Sequence, residues 1–215
     1  MDPSLAKMRH EYALGALRKT EVDPDPIRQF QRWLQEAIAA RLPEPNAMTV
    51  ATADRTGRPY ARVLLLKECD AEGFVFFSNY RSDKGRQLAE NPCAALVFLW
   101  LELERQVRVE GKVSRVAPAE SEAYFRSRPR ESRLGSLVSR QSQVVASRRA
   151  LDERFQQLAA QYPGDDIPMP AHWGGYRLRP ELLEFWQGRR GRLHDRLRYR
   201  RRAGGTGWLL ERLEP

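Results

Sequence analysis

Cysteine, histidine and long apolar segments are all scarce in this chain of 215 residues. Its two cysteines, Cys69 and Cys93, form no CxxC pair and have no metal-ligand spacing with the three histidines, so we predict neither a disulfide framework nor a metal site. The longest apolar run, residues 93–101, has about half the length that a membrane span needs. The N-terminal segment MDPSLAKMRH also lacks the apolar region of a signal peptide, and we therefore expect a cytoplasmic protein.

Several catalytic motifs are missing as well. The chain has no GxSxG nucleophile elbow, no Walker lysine loop and no GxGxxG after a strand, which disfavours a hydrolase, a nucleotide kinase and a Rossmann dehydrogenase. Positive charge, in contrast, is abundant: 37 Lys and Arg residues against 28 Asp and Glu residues give a formal net charge of +9. This excess favours anionic partners but does not separate nucleic acid from phosphorylated small molecules.

Hydrophobic spacing divides the chain into an arm and one folded unit. Residues 1–22 have no clear periodicity and are expected to form an arm that orders against another part of the molecule. Asp25 and Pro26 supply a cap and a first-turn proline for an amphipathic helix that Pro43 ends. From Ala47 the period changes to that of strands, and two successive hairpins predict an antiparallel meander.

The remaining segments predict further strands and three more helices. A short helix at SDKGRQLAENP is followed by a pair of strands, by a helix that Pro118 opens, and by a long helix marked by apolar residues from Val144 to Tyr162. Three or four strands then follow, with GGTG as a hairpin turn. Since no repeat or linker divides residues 23–215, we predict one α+β domain around an antiparallel barrel with flanking helices.

Two basic residues bracket the apolar segment VLLL of one predicted strand. Arg62 and Lys67 are five positions apart, and because this spacing is odd a regular strand points them to opposite faces, so one of them must face the core side. The alternative is that both are strand-end charges whose long side chains reach solvent. The pair alone therefore does not identify a site.

The segment FRSRPRES carries a denser set of hydrogen-bond donors. Pro129 stiffens a predicted turn that presents Arg128 and Arg130 beside serines, and such a set suits a phosphate dianion, although a solvated basic loop has the same composition. Farther along, RQSQ at residues 140–143 precedes a predicted helix. Its backbone N–H groups and hydroxyl are placed either to bind a second phosphate at the helix N-terminus or simply to cap the helix.

The segment EFWQGRRGRLHDR is the most informative one. Trp186 ends a predicted strand, glycines interrupt it, and Arg192, His194, Asp195 and Arg196 follow within a few residues. A histidine on its own is more often structural than catalytic. Here it stands among two arginines and an aspartate beside a tryptophan, which favours a site that orients a charged aromatic ligand.

These segments resemble the pyridoxine/pyridoxamine 5′-phosphate oxidase family over nearly the whole chain. The matching blocks are, in chain order, MRHEY, RVLLLK, FFSN followed by SDKGRQ, LERQVRVEG, YFRSRPRES, SRQS, HWGGYR, EFWQG and RLHDR. The resemblance implies a split β-barrel homodimer that binds two FMN at the subunit interface. It further implies oxidation of pyridoxamine and pyridoxine 5′-phosphate by dioxygen to pyridoxal 5′-phosphate, with release of hydrogen peroxide and, from the amine, ammonia.

The resemblance also implies which residues form the site, and it implies no metal. The family's flavin-binding positions are matched by Arg62, Val63, Leu64, Leu65, Leu66, Lys67, Phe77, Ser78, Lys84, Gln106, Gln141, Ser142, Trp186 and Arg196. Its substrate-binding positions are matched by Arg9, Tyr12, Lys67, Tyr124, Arg128, Ser132, Arg192, Leu193 and His194. Of these, Arg192 and His194 would lie beside the pyridine ring as the catalytic candidates, and Arg9 and Tyr12 belong to the arm that would cover the site.

One position departs from the family pattern. Asp83 stands where the family usually carries a basic residue that helps to hold the FMN phosphate, so either this carboxylate turns away from the cofactor or FMN binds less tightly. We expect it to turn away and to pair with Arg81 or Arg86 at the start of the short helix, where a carboxylate is favourable.

Two alternative functions remain open. A phenazine-biosynthesis-type FMN oxidase shares the fold and the flavin blocks but acts on a different ring system, and the complete set of substrate positions argues against it. A basic nucleic-acid-binding module is the alternative from another class, with Arg198, Arg200 and Arg202 along one face of a strand, but no recognised nucleic-acid motif accompanies this charge.

Overall fold

The computed structural model describes residues 7, 10–204 and 206–215. In this part of the chain nine strands form one antiparallel sheet, in the order β2-β1-β5-β6-β7-β4-β3, with β8 paired to β7 and β9 paired to β8. The strands are β1 (Ala47–Ala53), β2 (Pro59–Leu65), β3 (Glu68–Asp70), β4 (Gly73–Asn79), β5 (Cys93–Trp100), β6 (Arg105–Arg115), β7 (Trp173–Gln187), β8 (Asp195–Arg201) and β9 (Trp208–Leu213). The predicted α+β class with an antiparallel sheet is confirmed.

Five α-helices flank this sheet in the described residues. They are α1 (Pro26–Ala39), α2 (Asp83–Glu90), α3 (Pro118–Ser127), α4 (Arg130–Val138) and α5 (Arg148–Gln161). The first begins as predicted, because Asp25 accepts a hydrogen bond from the backbone N–H of Ile27 and Pro26 is the first helical residue. None of the helices in the described ranges is long and apolar enough to span a membrane.

The sheet curls around its own core, which α1 closes on one side. Phe30 of α1 is fully buried and lies 4.9 Å from the ring centre of Phe74 and 4.8 Å from that of Phe98, so one helical side chain joins two strands. Strands β6 and β7 lose register between Glu110 and Gly111, opposite Pro180. A bulge at this point bends the pair and increases its twist, which is how a flat sheet becomes a half-barrel.

A second, smaller cluster of buried residues lies under α3, α4 and α5. Phe125 and Leu134 are fully buried, and Trp173 and Ile167 pack against them. This cluster places the start of β7 beside the loop between α3 and α4. It therefore positions the arginine-rich segment that the sequence singled out.

Three sequence-based expectations need correction. Pro129 does not stiffen an isolated turn but is the residue before α4, a helix that the sequence reading missed. The long helix begins at Arg148 rather than near Val144, whose side chain is fully exposed. Consequently RQSQ forms a turn several residues before α5 and does not lie at the N-terminus of that helix. The predicted strands WGGYRLRP and LLEFWQG are one 15-residue strand, because Pro180 lies at the bulge.

Candidate ligand-binding site

The predicted site residues lie in two separate groups. Residues of β2, β4, α2–α4 and the segments next to them form the first, the helical cluster: Arg62, Lys67, Phe77, Ser78, Lys84, Tyr124, Arg128, Ser132, Gln141 and Ser142. Residues of the arm, β6, β7, β8 and the β7–β8 connection form the second, the arm cluster: Tyr12, Gln106, Trp186, Arg192, Leu193, His194 and Arg196. Phe77 pairs with Gly175 of β7, and Trp186 lies eleven residues farther along that strand. At about 3.3 Å per residue, roughly 36 Å of strand joins these two points of β7, and the two clusters line separate cavities.

Lys84 is the most deeply placed cation of the helical cluster. It follows the N-cap Ser82 of α2 and is only 8% exposed. Its Nζ donates to Gln141 Oε1 at 3.0 Å, Ser78 Oγ at 3.2 Å and Ser82 Oγ at 3.3 Å, all of which are neutral acceptors. Burial, and then the nearby Arg62 guanidinium, lower the pKa of Lys84. The ammonium is thus a desolvated charge that an anion would stabilise.

Arg62 points inward from β2 toward the same helix. It donates to Thr52 Oγ1 at 2.7 Å, to the carbonyl of Val50 at 3.1 Å and to Gln87 Oε1 at 3.1 Å, and burial lowers its pKa. Lys67 is exposed, so the expectation that one of the two faces the core side is confirmed for Arg62. Within the described ranges neither Arg62 nor Lys84 has a carboxylate within ion-pair distance.

The turn at residues 140–143 contacts α2 rather than α5. Gln141 accepts from Lys84, and Ser142 Oγ accepts from the backbone N–H of Asp83 at 3.2 Å. The side chain of Asp83 is paired with Arg86, as expected from the sequence. Ser142 has a left-handed backbone with φ of 69°, which turns its hydroxyl toward the N-terminus of α2. The interpretation of RQSQ as the N-terminal segment of the helix that follows it was therefore wrong, and its Ser142 hydroxyl instead contacts the N-terminus of α2.

Arg128 lines an adjoining cavity of about 470 Å³. Its guanidinium lies 4.8 Å from the ring centre of Trp173 and donates to Ser136 Oγ at 2.8 Å, and burial lowers its pKa. No carboxylate lies within ion-pair distance of Arg128 in the described chain. The other residues that line this cavity are Val63, Leu64, Leu65, Lys67, Phe77, Tyr124, Pro129 and Ser132.

Aromatic rings form one wall of this cavity. Phe77 and Tyr124 are stacked with 3.9 Å between ring centres, and Tyr124 is nearly parallel to Trp173 at 6.2 Å. Leu66, in contrast, is buried in the main core and does not line the cavity. The sequence reading missed Ser136 and Trp173. Ser136 follows Ser132 by one helical turn, a spacing that becomes visible only once α4 is recognised.

The arm cluster is aromatic at its centre. The ring of Tyr12 meets Trp186 edge-on at 5.5 Å and His194 at 5.6 Å, and His194 lies 4.7 Å from Trp186. His194 Nδ1 accepts from the backbone N–H of Arg189 at 3.1 Å, so the proton of the neutral ring is on Nε2. A cavity of about 500 Å³ adjoins these rings, and Arg192 is among its lining residues.

Arg192 and His194 precede β8 instead of lying on it, which corrects the interpretation of this segment as one strand. Arg192 has a left-handed backbone, with φ of 61°, in a single turn of 3₁₀ helix. Its side chain is exposed, as is that of Leu193. Arg9, the other predicted residue of the arm, lies outside the described residues.

The cation of the arm cluster on β8 is fully paired. Arg196 Nε donates to Glu184 Oε1 at 2.7 Å, and this hydrogen bond is the largest of the effects that raise the pKa of Arg196. Glu184 is buried, and its Oε2 also forms an ion pair with Arg108 Nη2 at 3.2 Å. Gln106 lies opposite Trp186 in the β6–β7 register. The sequence reading missed Glu184, because only the pairing of β7 with β8 brings it to Arg196.

Comparison with known proteins covers almost the whole chain. Residues 34–162 match the family model described as pyridoxamine 5′-phosphate oxidase, and residues 173–215 match the model described as pyridoxine 5′-phosphate oxidase C-terminal dimerisation region. A protein of Paraburkholderia phymatum named pyridoxine/pyridoxamine 5′-phosphate oxidase is 57% identical over 212 residues, which are 99% of each chain. A protein of the same name from Trichormus variabilis is 54% identical over 215 residues, the full length of both chains.

Solved structures confirm the predicted split-barrel fold. PhzG from Burkholderia lata, solved in complex with tetrahydrophenazine-1-carboxylic acid, superposes with a TM-score of 0.88 at 32% identity and covers 94% of this chain and 99% of its own. A pyridoxamine 5′-phosphate oxidase-related, FMN-binding protein from Nostoc punctiforme superposes with a TM-score of 0.70 at 19% identity, covering 89% of this chain and 98% of its own. At that identity the second likeness shows the fold alone.

Proposed function

Because the chain belongs to the pyridoxine/pyridoxamine 5′-phosphate oxidase family and is an oxidoreductase, we propose that it oxidises pyridoxamine 5′-phosphate and pyridoxine 5′-phosphate to pyridoxal 5′-phosphate with bound FMN. Dioxygen is the proposed electron acceptor and leaves as hydrogen peroxide. The alcohol and dioxygen give aldehyde and peroxide directly. The amine additionally consumes one water and releases ammonia.

The observation that carries this proposal is a pair of cations beside the start of α2, the buried Lys84 and the half-buried Arg62. Lys84 and Arg62 bond only to neutral oxygens among the described residues, and burial lowers the pKa of both. Holding two such charges without a counterion is costly, and a phosphate dianion would remove that cost. The residues present therefore fit the phosphate of FMN, with the Ser142 hydroxyl and the N-terminus of α2 as further partners.

The substrate phosphate is assigned to Arg128. Its guanidinium is held by Trp173 and Ser136, so it is pre-positioned and needs no reorganisation when an anion enters the cavity. Tyr124, Ser132 and Lys67 line the same cavity and can supply a hydroxyl, a second hydroxyl and an ammonium. Two separate anion positions in the helical cluster match a cofactor and a substrate that each carry one phosphate.

The ring-side residues are proposed to come from a partner copy. Arg192 and His194 line one cavity and Arg128 lines another, so we propose that one small ligand contacts both sets only when a second chain supplies one of them. On the outer face of the sheet, the exposed Val63 lies beside Thr49, which in turn lies beside Val97, and we propose this row for such a contact. The dimerisation-region match supports the same proposal.

FMN, when bound, supplies the chemistry of accepting a hydride from the C4′ carbon of the substrate and passing the electrons to dioxygen. The residues of this chain bind the ligands and orient them. Trp186 and Tyr12 present an apolar surface to the ring system, which excludes water. His194, with its proton on Nε2, can donate a hydrogen bond to the substrate, and Arg192 can hold the ring by its charge.

The test combines absorbance with product analysis. Purified protein reconstituted with FMN should show a flavin spectrum and convert pyridoxamine 5′-phosphate to pyridoxal 5′-phosphate with one hydrogen peroxide per aldehyde. Replacing both Arg192 and His194 by alanine should reduce turnover by more than about tenfold while FMN stays bound, since orientation is lost but the phosphate anchor is not. A protein that does not bind FMN, or wild-type turnover in the double variant, would contradict the proposal.

The PhzG likeness favours a second candidate, oxidation of a reduced phenazine. Relatives at 54–57% identity carry the pyridoxine/pyridoxamine name, whereas the PhzG chain is 32% identical, so we place the phenazine activity second. A comparison of kcat/KM for pyridoxamine 5′-phosphate and for a dihydrophenazine carboxylic acid decides between the two.

The nucleic-acid alternative loses its main support in the structure. Arg198 and Arg200 both pair with Glu211, at 2.8 Å and 3.5 Å, so this strand face carries less free charge than its sequence indicates. The division into an arm, residues 1–22, and one domain, residues 23–215, remains a prediction, as does the cytoplasmic location.

A further inference from the structure

We propose that Glu104 is a positioning residue that holds the arm over the ring side of the site through its side-chain carboxylate. This inference rests on the proposed function, because it assigns a use to the arm. It concerns a residue that touches neither cavity, since Glu104 is absent from the residues that line them. The carboxylate acts on the site only through the segment it holds, residues 10–17.

Apolar packing holds little of this segment. Leu14 is 68% exposed, and only Leu17 is buried among residues 10–17. Tyr12 packs against Trp186 and His194, but an exposed segment with one buried side chain has few contacts that fix its backbone. Its position must therefore depend strongly on the hydrogen bonds of its main chain.

Two carboxylates and one guanidinium provide those hydrogen bonds, the guanidinium being that of Arg212, which donates to the carbonyl of Leu17 at 2.8 Å. Glu104 Oε2 accepts from the backbone N–H of Leu14 at 2.9 Å, and Asp195 Oδ2 accepts from that of Leu17 at 3.0 Å. Glu104 Oε1 also lies 3.5 Å from Nε2 of His10. Glu104 thus contacts His10 before Tyr12 and Leu14 after it, and Asp195 holds the segment farther along at Leu17.

The burial and the backbone conformation of Glu104 keep its carboxylate in a fixed position. Its side chain is 3% exposed, and its backbone is left-handed at φ 53° and ψ 40°, a conformation that few residues other than glycine adopt without cost. The carbonyl of Glu104 accepts from the N–H of Gly188 at 2.8 Å, which ties the end of β7 to the same point. A side chain at Gly188 would put a Cβ 2.7 Å from Tyr12 Cβ and 3.0 Å from Glu104 Cβ, so these three residues meet as closely as they can.

Two substitutions distinguish the effect of the length of the Glu104 side chain from the effect of its charge. Glu104→Asp keeps the charge and tolerates the left-handed backbone, but withdraws the carboxylate by about 1.5 Å and breaks the bond to Leu14. Glu104→Gln keeps the reach and an acceptor oxygen but removes the charge. If Glu104 anchors the arm, Gln is the milder change; if the residue serves only as a buried charge, Asp is the milder one. Glu102→Asp, an exposed carboxylate two residues away, is the matched control.

The first measurement is amide hydrogen exchange of FMN-loaded protein without substrate, followed on peptides that cover residues 10–17. We expect Glu104→Asp to speed exchange there by about tenfold or more, as for loss of a charge-assisted hydrogen bond, while β6 and β7 keep their protection. Glu104→Gln should lie between Asp and wild type, and Glu102→Asp should match wild type. Unchanged exchange in Glu104→Asp overturns the inference, and this readout does not depend on which substrate the enzyme oxidises.

The second measurement is a double-mutant cycle on kcat/KM with Tyr12→Ala. Glu104→Asp should raise KM by about tenfold with a smaller change in kcat, and should have little further effect once Tyr12 is absent, because both act through the arm. FMN affinity should stay at the wild-type value. Additive effects, or a loss of FMN affinity in proportion to the loss in kcat/KM, would overturn the inference. An inactive wild-type enzyme with normal exchange results would instead refute the proposed substrate and leave the anchor established.

Discussion

The inward-facing cations of the helical cluster and the β8 cation of the arm cluster, Arg196, have opposite surroundings. Lys84, Arg62 and Arg128 bond to hydroxyl, amide and carbonyl oxygens, whereas Arg196 shares Glu184 with Arg108. A guanidinium that already holds a carboxylate has little charge left for a ligand, but its orientation is fixed. A cation without a counterion has the converse properties. The helical cluster is therefore suited to bind anions, and the arm cluster is suited to hold a ring in place.

Lys84→Met is the substitution from which we expect the largest effect. We expect FMN affinity to fall by about a hundredfold, since a charge-assisted contact to a dianion contributes roughly 3 kcal/mol. The FMN-free protein should unfold at an equal or higher temperature than wild type, because an unpaired buried charge has been removed. Flavin titration and thermal unfolding measure the two effects, with the exposed Lys112→Met as control. A destabilised protein with normal FMN affinity would mean that Lys84 is structural.

Arg128→Ala tests the second anion position. The KM for pyridoxamine 5′-phosphate should rise at least about tenfold, as expected for one lost charge-assisted bond, while FMN affinity changes little. Steady-state kinetics and flavin titration on the same preparations separate the two ligands. Arg126→Ala is the matched control, because Arg126 is exposed and pairs with Glu122 on α3. Loss of FMN with retained substrate affinity would reassign Arg128 to the cofactor.

Arg196→Met should behave in the opposite way to Lys84→Met. It leaves Glu184 buried with one remaining partner, Arg108, so we expect the FMN-free protein to lose about 1 kcal/mol of unfolding free energy. The double variant Arg196→Met with Glu184→Met should recover most of that loss. Urea denaturation followed by fluorescence measures both. Equal stability of the single variant and wild type would show that the pairing has no energetic role.

Asp83→Arg should have the smallest effect. The Asp83 side chain is exposed and engaged by Arg86, and exposed ion pairs contribute little, so FMN affinity should stay within about twofold of wild type. Much tighter binding would show that this position faces the cofactor phosphate. Loss of binding would mean that the carboxylate has a structural role at the start of α2.

Local signals predicted the individual elements well. The Asp25 cap with Pro26 predicted the start of α1, and the change to the strand period at Ala47 predicted the start of β1. Prolines produced both main errors. Pro129 indicated a turn although proline is also frequent where a helix begins, and Pro180 indicated a strand end although a bulge accommodates it. A single proline does not carry enough information to separate these outcomes.

The site divides in the same manner. Residues that stand in motif blocks, such as Lys84 and Arg128, could be named from the sequence, whereas the residues that orient them could not. Ser136, Trp173 and Glu184 act through contacts between distant segments, and no spacing in the chain reveals those contacts. No motif in the sequence shows that the two groups of site residues line separate cavities within one chain.

That separation has a genetic consequence if each site is completed by a partner copy. A chain that carries Lys84→Met and a chain that carries His194→Ala are each defective in every site when alone. In a mixed dimer the two lesions fall together in one site, and the other site receives an intact helical cluster from one chain and an intact arm cluster from the other. Co-expression of two inactive alleles should therefore restore activity, so a recessive loss-of-function defect in one half of the molecule can be complemented by a defect in the other half.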